Sequence, residues 1–141
     1  SDGSHLYITG SHETVSESQR LMYTARFNMD LSISWEDNRE LSPLDNDTGH
    51  SIDLSNGIVG VGAVGGDEAF VFKFNKSDGT MTDYRTYGGD DLEVTYGVAF
   101  FGPDLYATGY FKSQDVNFGS GTNPDFRSAN GGKDVFLNMF E

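Results

Sequence analysis

The sequence predicts an all-β fold made of tandem repeats of short antiparallel strands. Three observations point to it. The chain of 141 residues is rich in aromatic residues, with 11 Phe and 7 Tyr, and is punctuated by 18 Gly. Apolar residues show no helical periodicity at any point along it. Short apolar segments, bounded by glycine, asparagine and aspartate, recur at similar spacing.

The clearest recurrent segment ends in glycine. Its three copies close at Gly10, Gly62 and Gly109, which are 52 and 47 residues apart, and they cover residues 6–10 (LYITG), 58–62 (IVGVG) and 105–109 (LYATG). A second kind of segment follows each copy, at residues 22–28, 69–75 and 135–141. It brings Phe27, Phe74 and Phe140 into register, so we expect these three rings to occupy equivalent positions.

Two further kinds of segment complete the repeat. One covers residues 31–35 and 81–84, and the other covers residues 50–54 and 96–100. Four strands per unit of roughly 45 residues predict a β-propeller blade, and a β-sandwich is the alternative. The chain then forms a single propeller arc, either open or completed to a ring by other chains. Residues 1–49 make a diverged blade without its inner strand, 50–95 a complete blade, and 96–141 a blade without its outer strand.

The phrases LYITG, LYATG, DEAFVFKFN, TYGGDD and GGKDVF resemble the bacterial SBBP-type β-propeller repeat. The resemblance spans nearly the whole chain and implies the propeller fold. It implies no catalytic residues, because the family has no catalytic motif that can be transferred position by position. The absence of cysteine is typical of many exported bacterial proteins. We therefore expect an extracellular, cell-surface or periplasmic location.

Charge excludes several classes of partner. The formal net charge of −13 argues against nucleic acid and anionic membrane surfaces, since both need clustered Lys and Arg. No apolar run approaches the roughly 20 residues that span a bilayer, so membrane insertion is not expected. The missing cysteines exclude disulfides and thiolate catalysis.

The long loops are the candidate functional region. In an up-and-down blade the second-to-third and fourth-to-first connections emerge on one side, and both kinds are long here. They are acidic, and the longest carries two phenylalanines that could dock a glycan or peptide or pack on their own blade. The predicted ligand-binding residues are Glu13, Glu17, Asp90, Asp91, Asp115, Phe118 and Phe126.

A calcium site is predicted at Asp45 and Asp47, within the stretch DNDTGHSID. Clustered carboxylates supply the oxygen ligands that Ca²⁺ prefers. The glycine stands one position early for an EF-hand loop, and solvated turns are the alternative explanation. No other cofactor is expected.

These features predict a non-enzymatic binding or scaffold module with a protein or glycan ligand. No nucleophile, base and orienting group are recognisable together, so no catalytic residue is assigned. Two alternatives stay open: a fragment of a hydrolase or lyase propeller, and a structural self-assembly element. Residues 135–140 would form an uncharged sheet edge, which predicts edge pairing with another chain or a homo-oligomer.

Overall fold

The computed structural model describes residues 1–14, 19–42, 47–119 and 123–140. Twelve strands and no helix are found in these ranges, so no described helix is long and apolar enough to cross a membrane. The strands are β1 (His5–Glu13), β2 (Arg20–Asn28), β3 (Ile33–Arg39), β4 (Thr48–Ser55), β5 (Ile58–Gly65), β6 (Glu68–Asn75), β7 (Met81–Tyr87), β8 (Glu93–Phe101), β9 (Asp104–Phe111), β10 (Val116–Asn117), β11 (Phe126–Arg127) and β12 (Asp134–Phe140).

The strands form antiparallel sheets in chain order. The first sheet is β1-β2-β3, the second is β4-β5-β6-β7, and the third is β8-β9-β12 with β9 in the middle. A two-stranded sheet, β10-β11, lies within the long connection between β9 and β12. All pairings are antiparallel. The prediction of an all-β fold with antiparallel sheets is confirmed.

Irregularities in the pairing recur with the sequence repeat. The register shifts at Arg26/Phe27 between β2 and β3, and again at Lys73/Phe74 between β6 and β7. A second shift occurs at Gly49/Ser51 between β4 and β5, and again at Thr95/Gly97 between β8 and β9. β-Bulges set the local bend and twist of a sheet. The first and second sheets therefore share one bulge position, and the second and third sheets share the other.

β6 lies in the middle of the molecule and is buried on both faces. Phe70, Phe72 and Phe74 pack toward the first sheet, while Ala69 and Val71 pack toward the third. Side chains along β6 therefore alternate between two covered faces, as the period of two in a strand requires. Each face of the second sheet belongs to a separate core cluster. The cluster shared with the first sheet includes Tyr7, Met22 and Trp35, and that shared with the third includes Leu105, Ala107, Phe136 and Phe140.

Two glycines of β5 let the third sheet approach closely. A Cβ on Gly60 would lie 2.6 Å from Leu105 Cδ1, and one on Gly62 would lie 2.6 Å from Thr95 Cγ2. Side chains of β4 reach the neighbouring strand β8 as well. Val98 N donates to the hydroxyl of Ser51 at 3.1 Å, and Phe100 N to Asp53 Oδ2 at 2.8 Å. These contacts hold β4 and β8 side by side.

The turn between β6 and β7 joins the second sheet to the first. Trp35 Nε1 donates to the Lys76 carbonyl at 3.1 Å, and Arg26 Nη1 donates to the Ser77 carbonyl at 3.0 Å. Gly79, with a φ of +76°, lies against the Trp35 ring. Because Arg26 belongs to β2 and Trp35 to β3, this one turn connects the first sheet to the second.

The expectation of equivalent surroundings for the three phenylalanines is wrong for Phe27. Phe27 pairs across the sheet with Leu6, Phe74 with Val59, and Phe140 with Leu105. Phe74 and Phe140 are buried, whereas Phe27 is only half-buried. The reason is that no described sheet covers its face of the first sheet, where Leu6 is 37% exposed. The partner of Phe74 is Val59, one residue beyond the position that the sequence alignment indicates.

Candidate functional site

The structure brings two of the long loops together at the second and third sheets. Residues 88–92 precede β8, and residues 112–115 follow β9. Asp91 N donates to the Ser113 hydroxyl at 2.7 Å, and that hydroxyl donates to the Asp91 carbonyl at 3.1 Å. Gln114 N donates to Asp90 Oδ1 at 3.1 Å. These two loops therefore share one side of the molecule, as the strand order predicts.

The predicted acidic residues on these loops form hydrogen bonds and an ion pair with neighbouring loop residues. Asp91 bonds Lys112 Nζ at 2.8 Å, and this bond holds the pKa of Asp91 below its usual value. Asp115 Oδ1 accepts from the Ser128 hydroxyl at 3.2 Å. Asp90 accepts the backbone bond from Gln114. The arrangement corresponds to turns that bind their own backbone.

Glu93 is a buried carboxylate that was not among the predicted ligand-binding residues. Its Oε1 accepts from the backbone N–H of Lys112 at 3.2 Å and of Ser113 at 3.0 Å. Its Oε2 is buried and has no hydrogen-bond partner in the part of the chain that the structure describes. Glu93 thus holds the loop after β9 against the start of β8. The signal in the sequence was a charged residue opening an otherwise apolar strand.

Asp47 occupies the corresponding position before β4. It is fully buried, and its Oδ2 accepts from Leu41 N at 2.5 Å and Ser42 N at 3.3 Å. Its predicted calcium-binding partner, Asp45, lies outside the described residues. Within the described ranges no group of three or more His, Asp or Glu could hold a metal ion. Calcium binding at these aspartates stays a prediction.

The remaining predicted residues are dispersed. Phe118 is buried, and its ring lies 5.0 Å from that of Phe136 and 5.2 Å from that of Tyr87. It packs on its own sheet, which was one of the two expected arrangements. Phe126 is exposed on β11. Glu13 is exposed at the end of β1 in the first sheet, and Glu17 lies outside the described residues.

A cleft of about 360 Å³ lies between the first and second sheets, beside β3 and β7. The ring of Tyr84, 55% exposed, forms part of its wall and stacks on Phe72 at 6.2 Å and 21°. Phe72 in turn stacks on Phe70 at 5.7 Å and 2°. The stacked rings are supported by the core and fix the orientation of Tyr84. The cleft borders the loops before β4 and before β8, so it belongs to the long-loop side.

Charged side chains surround the aromatic wall of this cleft. Arg39 makes two bonds to Asp37, from Nε at 3.0 Å and from Nη2 at 2.8 Å. Its guanidinium lies 6.0 Å from the centroid of the Phe72 ring. Glu40 and Glu68 also line the cleft. The cleft thus combines a flat apolar surface with both hydrogen-bond donors and acceptors.

A second polar cluster surrounds the N-terminal turn, beside a hollow of about 380 Å³. Asp2 makes an ion pair with Lys76 at 2.8 Å and accepts from the Tyr7 hydroxyl at 3.1 Å. The Lys76 bond holds the pKa of Asp2 far below its usual range. Burial, together with the bond to Asp2, raises the pKa of Tyr7 to about 12.

Ser4, His5 and Asp2 also meet here, but not as a catalytic triad. Ser4 Oγ lies 3.0 Å and Asp2 Oδ1 3.6 Å from the same ring atom, His5 Nδ1. The other ring nitrogen, Nε2, faces Arg26 Nη2 at 2.6 Å. A triad needs the nucleophile and the carboxylate on different ring nitrogens. The cluster closes the turn and links it to the second sheet through Lys76.

Neither a scan against protein-family models nor a search of curated proteins finds a match to this chain. The class of protein is therefore defined by what the chain itself contains. It is an all-β protein of successive antiparallel sheets, with an aromatic cleft between the first two.

Proposed function

We propose that the chain is a non-enzymatic binding module of the β-propeller type, which holds a pyranose unit of a glycan in the cleft beside Tyr84. The propeller arrangement is supported by three features: sheets that follow each other in chain order, bulges that recur at the same repeat positions, and the side-by-side placement of β4 and β8. It agrees with the resemblance to the SBBP-type repeat.

The exposed ring of Tyr84 is the observation that carries the binding proposal. The face of an aromatic ring is electron-rich and apolar, which suits the C–H face of a sugar ring. Because Tyr84 is already stacked on Phe72, little side-chain freedom is lost when a ligand covers it. The volume of about 360 Å³ falls in the range of small-molecule sites, roughly 300–1,000 Å³.

The charged residues of the cleft suit sugar hydroxyls. Arg39 is held in place by Asp37 and supplies donors, while Glu40 and Glu68 supply acceptors. A ligand pocket typically combines such an apolar wall with a few oriented polar groups. The position on the long-loop side also agrees with the general rule that binding residues border variable loops on a rigid scaffold.

The proposal is tested by titrating the protein with cellohexaose, laminarihexaose, chitohexaose and mannohexaose. Binding is followed by calorimetry and by the fluorescence of Trp35, the single tryptophan. We expect saturable binding to at least one sugar, retained in Tyr84→Phe. Tyr84→Ala should weaken it about tenfold or more, a loss of about 1.4 kcal/mol or more, because it removes the apolar wall against which the sugar lies.

Tyr96→Ala is the matched control, since Tyr96 is 57% exposed but lies on β8, outside the cleft. It should bind like the unchanged protein. The absence of saturable binding to all four sugars, or equal losses in both alanine variants, would contradict the proposal. Cleavage of a bound sugar that is abolished by Glu68→Gln would replace a binding module with a hydrolase or lyase.

A further inference from the structure

The cleft beside Tyr84 has an aromatic end and an acidic end. At the aromatic end Tyr84 stacks on Phe72, and the guanidinium of Arg39 lies 6.0 Å from the centroid of the same Phe72 ring. Two further residues of the lining, Glu40 and Glu68, are exposed carboxylates. Their position along the cleft follows from the geometry of the strands.

The two glutamates border the end of the cleft that is remote from Phe72. Glu68 and Phe72 project from the same face of β6, because an even number of residues separates them. Four residues of strand extend over roughly 13 Å, which is longer than one pyranose ring. Glu40 precedes Leu41, and a Cβ on Gly65 would contact Leu41. Since Gly65 pairs with Glu68 across the sheet, both carboxylates lie at this end.

Neither carboxylate is neutralised by the protein. The side chains of Glu40 and Glu68 form no ion pair and no hydrogen bond with any described residue, although all nine Lys and Arg residues lie in the described ranges. Among the described residues of the lining Arg39 is the single cation, and its Nε and Nη2 are both bonded to Asp37. The cleft therefore keeps two uncompensated negative charges.

The carboxylate of Glu68 is supported by the backbone after β7. A Cβ on Gly88 would lie 2.9 Å from Cγ and 2.9 Å from Oε1 of Glu68, so the side chain lies directly against Gly88. Gly88 follows the strand that carries Tyr84 and Thr86, two other residues of the lining. An uncompensated charge in a cleft attracts a cation more strongly than one in open solvent, because less water screens it.

We propose, building on the glycan-binding function above, that the ligand is an oligosaccharide of amino sugars whose amino groups are free and positively charged. One ring lies on Tyr84, and the ammonium group of a neighbouring ring lies at Glu40 and Glu68. An ammonium group donates three hydrogen bonds and accepts none, which suits two carboxylates. Such charge-assisted hydrogen bonds are stronger than those of a neutral hydroxyl. An acidic sugar is disfavoured, because Asp37 already occupies the guanidinium of Arg39.

The ligand class is tested with two sugars that differ only at nitrogen. Chitohexaose carries N-acetyl groups, and its fully deacetylated form carries ammonium groups on the same backbone. In calorimetry the deacetylated hexamer should bind at least about tenfold more tightly than chitohexaose or cellohexaose. This preference should shrink between about 20 mM and about 500 mM salt, because salt screens the attraction. Glucosamine itself should bind more weakly than the hexamer, because one ring does not extend from Tyr84 to Glu68.

Charge-neutral variants of similar size locate the ammonium site. The double variant Glu40→Gln with Glu68→Gln should abolish the preference for the deacetylated hexamer and leave binding of cellohexaose within about twofold. Glu36→Gln is the control. Glu36 is exposed on β3, on the face opposite to Trp35, and glutamine can still accept the hydrogen bond from the Tyr23 hydroxyl. It should leave the preference unchanged, although the net charge of −13 also drops by one. A loss as large as that of Glu68→Gln alone would overturn the proposal, because the attraction would then come from the net charge.

Hexalysine distinguishes an amino sugar from a basic peptide as the source of the ammonium group. It should bind more weakly than the deacetylated hexamer, and Tyr84→Ala should not change its affinity. Hexalysine that binds as tightly, with the same dependence on Tyr84, would overturn the proposal. Equal binding of the acetylated and deacetylated hexamers, both weakened by Tyr84→Ala, would refute the amino-sugar ligand and leave glycan binding intact. The absence of binding to every sugar would refute both.

Discussion

Replacing Gly79 by alanine should destabilise the protein by about 2–5 kcal/mol. Gly79 has a φ of +76°, in the left-handed region, where an L-residue costs about 1–2 kcal/mol. An added Cβ would also lie 2.7 Å from Cδ2 and from Cε3 of Trp35. Forcing a methyl group into a packed core costs about 1–3 kcal/mol more.

The Trp35 ring has little room to move away. It stacks on Phe74 at 6.5 Å, meets the edge of Tyr7 at 6.3 Å, and is anchored through Nε1 to the Lys76 carbonyl. The turn that carries Gly79 must therefore shift, which weakens the contact between the first and second sheets. Urea unfolding measures the loss directly, because the fluorescence comes from the single tryptophan, Trp35.

Gly57→Ala separates the two contributions. Gly57 has a φ of +85°, but no heavy atom of its described surroundings lies within 4 Å of a Cβ built there. Gly57→Ala should lower the free energy of unfolding only by the backbone contribution, about 1–2 kcal/mol. The difference between the two variants is then the cost of displacing Trp35. Equal losses in both would show that the turn moves off the ring freely, and would refute the packing argument.

Three further predictions concern the buried and paired ionisable groups. Glu93→Ala leaves the Lys112 and Ser113 N–H groups without their acceptor and should lower the free energy of unfolding in urea by about 2–3 kcal/mol. Glu93→Gln keeps an acceptor oxygen, so its free energy of unfolding should stay within about 1 kcal/mol of that of the unchanged protein. Equal losses in the two variants would contradict this prediction. Because the pKa of Tyr7 is raised from 10.0 to about 12, its contribution to stability should be lost as pH rises between these values, and Tyr7→Phe should abolish that part of the pH dependence. The lowered pKa of Asp2 acts at the acid end: its contribution is present above about 3.8 and is lost as pH falls toward the folded value, and Lys76→Met should move the NMR titration of Asp2 upward.

Local features of the fold could be predicted because strand and turn chemistry act over a few residues. The alternation of Phe70, Phe72 and Phe74 follows from the period of two in any strand. The register between β5 and β6 could not be read in the same way. It places Phe74 opposite Val59, because the two-residue turn between Gly65 and Glu68 decides the pairing. The order of apolar and polar residues along β5 and along β6 is the same whichever of two registers, one residue apart, the strands adopt.

Part of the candidate site could likewise be predicted from the sequence, and part could not. The meeting of Asp90 with Gln114 could be anticipated from strand order, since it depends only on which ends of the sheet the loops join. The cleft of Tyr84 and Arg39 could not, because the two residues are distant in sequence and come from different sheets. From the sequence, Phe118 could either contact a ligand or pack on its own blade, and the structure shows that it is buried.

The sequence by itself determined that the chain forms repeated antiparallel strands, because side-chain alternation and turn preference are properties of short segments. Only the tertiary structure decided which faces are covered. Phe27 and Phe74 hold the same place in the repeat, yet one is half-buried and the other is buried. Burial depends on whether a second sheet packs against that face, and nothing in a strand's own residues records its neighbour.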